Sequence, residues 1–127
     1  MDERGSSHLT TNEQAALDAF ITRLCEQYAE QLERVVLFGS KARGDADAES
    51  DLDVLVVLRD GDWRFRDAVA LTAFEPMLEH GVILSPLVVD VTEYSWWQEH
   101  NAPIYRHIRT DGVDLWTKQP LPSSTSA

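Results

Sequence analysis

The stretch from Val35 to Leu58 leaves this chain few ways to fold. It reads VVLFGSKARGDADAESDLDVLVVL. Val35 to Phe38 is a short apolar run that predicts a buried strand. Gly39-Ser40 breaks it, and Lys41, Arg43 and Gly44 follow before a short acidic spacer. Ser50-Asp51-Leu52-Asp53 then opens a second apolar, β-branched run through Leu58. Residues two apart on a strand share a face, so Asp51 and Asp53 point the same way. Neighbouring carboxylates repel each other and lose hydration at the start of a buried strand. A hard cation relieves that conflict, and oxygen ligands suit magnesium. The Gly39-Ser40 turn can offer backbone N–H groups and a hydroxyl to phosphate oxygens. A phosphate cradle beside such a pair points to nucleotidyl or phosphoryl transfer.

Read together, G-S-x-A-R-G, the acidic spacer, S-D-x-D and the apolar strand resemble the signature of the minimal nucleotidyltransferase (MNT) family. That family belongs to the DNA polymerase β-like nucleotidyltransferase superfamily. The residues carrying the likeness are Gly39, Ser40, Ala42, Arg43, Gly44, Ser50, Asp51 and Asp53. The closing R-x-x-G-V segment, Arg109 to Val113, extends it towards Trp116.

The resemblance implies catalytic and metal-binding roles for Asp51 and Asp53, and nucleotide binding by Gly39, Ser40 and Arg43. Mg2+ is the implied cofactor and ATP the implied nucleoside triphosphate. AMP would pass to a hydroxyl acceptor. The implied acceptor is a tyrosine on an all-helical HEPN-type toxin, with the present chain acting as antitoxin. Guanidinium geometry favours Arg43 for phosphate contact, with Lys41 the weaker candidate. Read without the family, Arg43 is equally an ion-pair partner for Asp45, Asp47 and Glu49, and Ser40 a helix N-cap.

One departure stands out. Members of the superfamily bring a third carboxylate from a neighbouring strand, and here that position falls at Ser85, with Asp90 further along. A hydroxyl does not replace an anionic ligand or base. The alternative is therefore a catalytically weakened module of the same fold, binding a partner protein, with or without nucleotide, and without turnover.

The chain has 127 residues, about one domain, and 43% hydrophobic content supports a core. The expected division is a flexible segment 1–9, one domain 10–117 and a disordered tail 118–127. A formal net charge of -11 argues against gripping nucleic acid directly. Cys25 is alone, which excludes an internal disulfide. No secretory leader or bilayer-spanning run is recognised, so a cytoplasmic protein is expected.

The remaining segments predict an α/β (α+β) fold: a small mixed sheet with helices packed on one face. Thr10 with Glu13, or Thr11 with Gln14, offers a capping box. Leu17, Phe20, Ile21, Leu24, Tyr28 and Leu32 then recur at helical spacing over about five turns. Trp63 to Glu79 predicts a second helix, kinked by Pro76 or ended at Glu75. Val82 to Val91 reads as a strand that Pro86 confines to an edge or bulge. Glu93 to His100 and Pro103 to Arg109 predict short helices, and Val113 to Trp116 a final strand. Of Trp96 and Trp97, one ring is expected to pack and the other to stay partly exposed.

Overall fold

The computed structural model describes residues 9–43 and 51–118, without the side chains of Ser40 and Arg43. The readings made at 1–8, 44–50 and 119–127, including Gly44, Ser50 and the acidic spacer, lie outside the described residues.

Helix α1 spans Thr11–Tyr28. Its start uses the first of the two possible boxes. Glu13 N–H donates to Thr10 Oγ1 at 3.0 Å, and Thr10 N–H donates to Glu13 Oε1 at 2.9 Å. These bonds satisfy N–H groups that have no partner within the helix. Thr10→Ala should therefore cost about 1 kcal/mol. A lowered urea midpoint with unchanged slope would report it, and an unchanged midpoint would show that the cap contributes nothing.

Leu32 does not continue α1. The chain turns after Tyr28, where Gln31 N–H donates to Tyr28 O at 2.9 Å, and strand β1 runs Leu32–Phe38. Leu32 pairs with Leu58 across the sheet. Its apolar side chain suits either a helix face or a strand core, so periodicity alone assigned it to the wrong element.

After the short helix α2, Ser40–Arg43, strand β2 runs Leu52–Leu58 antiparallel to β1. Helix α3 covers Trp63–Leu71 and α4 covers Phe74–His80. The break falls at Thr72-Ala73, earlier than expected. Pro76 has no N–H to give the Thr72 carbonyl and its ring crowds that group. The last turn of α3 tightens instead: Thr72 N–H and Ala73 N–H donate to Val69 O and Ala70 O, both at 3.1 Å. Pro76 then lies in the first turn of α4, where a missing donor costs little.

Strand β3, Leu84–Asp90, lies parallel to β2. Helices α5, Val91–Glu99, and α6, Pro103–Asp111, lead to β4, Val113–Thr117, which pairs antiparallel with β1. The sheet order is β3-β2-β1-β4. Pro86 thus sits on an edge strand, as its missing donor requires.

The mixed sheet with α1 and α3 on one face agrees with the expectation, and α5 and α6 add a layer on the other. Phe20, Leu24, Val35, Leu37, Val54 and Val56 belong to the first apolar cluster. Val36, Leu55, Val57, Val89 and Ile108 form the second, with Phe38, Tyr94, Trp97 and Ile104 against it. Strand β2 is thus buried on both faces, and its apolar run has no alternation for that reason. Trp97 packs in the second cluster, while Trp96 is 55% exposed and stacks on His100. Among the described residues, no helix is long and apolar enough to cross a membrane.

Candidate active site

Asp53 occupies the first turn of the pleat in β2, directly opposite Phe38 of β1. By strand alternation it shares the face of Leu55 and Val57, at the end of the second apolar cluster. Asp53 is half-buried, and Asp51, two residues earlier, is exposed. Burial is the larger cause raising the Asp53 carboxyl above its ordinary pKa, and the Asp51 charge pushes in the same direction. The two acids are therefore close enough to feel each other.

Gly39 closes the site from the β1 side. Its φ is +82°, in the left-handed region that glycine enters freely. A Cβ at this position would run into Asp53 Oδ2. The bend is thus laid against the carboxylate, and only glycine permits both the turn and the approach. Backbone and acid therefore lie side by side at this end of the sheet.

The two-carboxylate donor set fits a hard divalent cation. It offers oxygen ligands only, one of them held in a setting that penalises its own charge. No group of three or more His, Cys, Asp or Glu suited to a metal occurs among the described residues.

Ser85 pairs directly with Asp53 in the parallel register of β2 and β3. It stands on the same face, on the adjacent strand. Asp90 pairs with Leu58, five residues along and about 16 Å away at ~3.3 Å per residue. Asp90 is also engaged elsewhere. Its Oδ1 accepts from Glu93 N–H at 2.9 Å and its Oδ2 meets Arg66 Nη2 at 3.1 Å. Asp90 caps α5 and does not reach the Asp53 end.

Lys41 departs from its expected role. It is only 5% exposed and its Nζ donates to Glu13 Oε2, itself in a 5% exposed residue. The ammonium is turned inward onto that carboxylate. Sequence reasoning assigned Glu13 to the helix cap and did not foresee the second oxygen. Nothing in the spacing of residues 13 and 41 announces that contact.

Comparison with known proteins bears on this geometry. The family described as "Nucleotidyltransferase domain" matches residues 17–125. The chain belongs to that family. A Methanocaldococcus jannaschii protein named "Putative protein adenylyltransferase MJ0604" is 33% identical over 105 residues, covering 83% of this chain and 99% of its own. The crystal structure of a "putative nucleotidyltransferase" from Sulfolobus solfataricus superposes with a TM-score of 0.56 at 19% identity, over 93% of this chain and 91% of that one. A structure described as "the toxin-antitoxin with AMP-PNP" gives 0.52 at 24% identity, over 79% and 73%. These two structural likenesses support the nucleotidyltransferase fold.

Proposed function

We propose that this nucleotidyltransferase-family chain transfers AMP from ATP to a hydroxyl acceptor with Mg2+. The observation that carries the reading is the Gly39 bend laid against Asp53, with Asp51 two residues away. The adenylyltransferase name of the Methanocaldococcus jannaschii relative favours AMP as the transferred group. Asp51 and Asp53 would hold the Mg2+, which when bound neutralises phosphate charge and orients attacker and leaving group. Gly39 and Ser40 present the bend to phosphate oxygens, and Arg43 supplies a guanidinium to them. The acceptor oxygen bonds to the α-phosphorus as the bond to the β-phosphate oxygen breaks. Pyrophosphate leaves and the hydroxyl proton passes to water. The protein's part is positioning and electrostatics.

The acceptor we propose is a tyrosine on an all-helical HEPN-type toxin, with this chain as its cytoplasmic antitoxin. The structural likeness to a toxin–antitoxin assembly carrying AMP-PNP supports that choice. The net charge of -11 suits a basic partner better than direct contact with nucleic acid. The test is incubation with such a toxin, Mg2+ and ATP labelled on the α-phosphate. Label should appear on the toxin and disappear with a Tyr→Phe acceptor. No label on an intact, bound toxin would end this reading.

Ser85 opposite Asp53 favours one alternative. In it the fold binds its partner without turnover. Asp51→Asn with Asp53→Asn would then leave toxin neutralisation unchanged.

A further inference from the structure

We infer that the buried Glu13–Lys41 ion pair is a positioning lock that holds the Gly39 bend in place for nucleotide. This rests on the nucleotide-binding reading of that bend. Helix α2 has four residues, too few to be stable by its own hydrogen bonds. Something outside it must hold it. Ala42 is anchored in the first apolar cluster, and its N–H returns to Gly39 O at 3.1 Å. Lys41 supplies the other anchor, its ammonium bonded to Glu13. The side chains of both partners are 6% exposed.

Glu13 is itself fixed. One carboxylate oxygen takes Lys41 and the other takes Thr10 N–H, while its own N–H is bonded to Thr10 Oγ1. The bend is thereby referenced to the first turn of an 18-residue helix. Burying two charges is a poor way to add stability, since a well-packed apolar pair does as well or better. Fixing one geometry is the use to which such a pair is better suited. The lock acts on the bend and touches no substrate, so Glu13 and Lys41 are positioning residues.

Two variants separate positioning from stability. Lys41→Met removes the ammonium and keeps the apolar stem, and Glu13 still caps α1. Glu13→Gln combined with Lys41→Met leaves no buried charge at all, and Gln also serves a capping box. The measurements are thermal midpoint, MgATP affinity by calorimetry, and amide exchange at residues 39–43. The expected result for the double variant is a midpoint near that of the unaltered protein. Its MgATP binding should weaken about 10-fold, the size typical of losing a group that orients a ligand shell. Exchange in the bend should quicken while α1 and the sheet stay protected.

Unchanged exchange in the bend, or unchanged MgATP affinity in a folded variant, overturns the lock. If the unaltered protein binds no MgATP, the nucleotide reading fails separately. The exchange comparison then still decides whether the pair holds the bend.

Discussion

Asp53→Asn is expected to lower AMP transfer by on the order of 10³-fold or more while the fold stays intact. A bound metal would supply several kcal/mol of charge stabilisation in such a transfer, which is lost with a carboxylate that holds it, and each 1.4 kcal/mol is a factor of ten. Stability should move the other way. Burial and the Asp51 charge both raise the Asp53 pKa, so its ionised form opposes folding. For a carboxyl raised in the folded state, stability increases as pH falls through that pKa. Asparagine removes the charge at every pH. Without Mg2+, the thermal midpoint of Asp53→Asn should therefore equal or exceed that of the unaltered chain near neutral pH. The gain on adding MgATP should vanish. Transfer by the variant at the original rate would remove Asp53 from the chemistry.

Ser85→Asp is the complementary expectation, a gain. The register puts residue 85 beside Asp53 on the parallel neighbour, with strands about 4.8 Å apart. A third carboxylate there should repel the other two. The metal-free variant should melt lower, and Mg2+ should recover more of its stability than it gives the unaltered chain. Transfer should rise by about 10²-fold, the lower range for a placed general base. A larger Mg2+ response with no change in transfer would show that the missing acid does not limit turnover. A variant no more responsive to Mg2+ than the original would place the cation elsewhere.

Much of the site was legible because it lies within one short stretch. Strand, glycine bend and alternating acids are local patterns, and β1 and β2 are sequence neighbours joined by that stretch. Alternation also predicted a shared face for Asp51 and Asp53, and the Asp51 charge does act on Asp53. The resemblance put Ser85 where a third acid is expected, but its pairing with Asp53 comes only from the sheet register. Errors arose where one residue satisfies two patterns. Leu32 continued the α1 spacing yet begins β1. Pro76 marked a helix interruption, but its effect acts four residues back, at the Thr72 carbonyl. The Glu13–Lys41 pair was invisible, because a charged residue near a helix start reads as a solvated cap. Only the fold, which brings Lys41 of α2 to the first turn of α1, joins the two side chains. The cover of α5 and α6 over the second face was equally non-local, since it depends on how Val36, Leu55 and Val89 converge from three strands.

The acidic pair lies outside both apolar clusters that hold the sheet together. Burial and the Asp51 charge disfavour the ionised form of Asp53 in the folded chain. On the proposed function, chemistry and architecture are separable in this protein. Descendants can shed the reactive groups without unfolding, and the scaffold left behind remains free to persist as a pure docking protein.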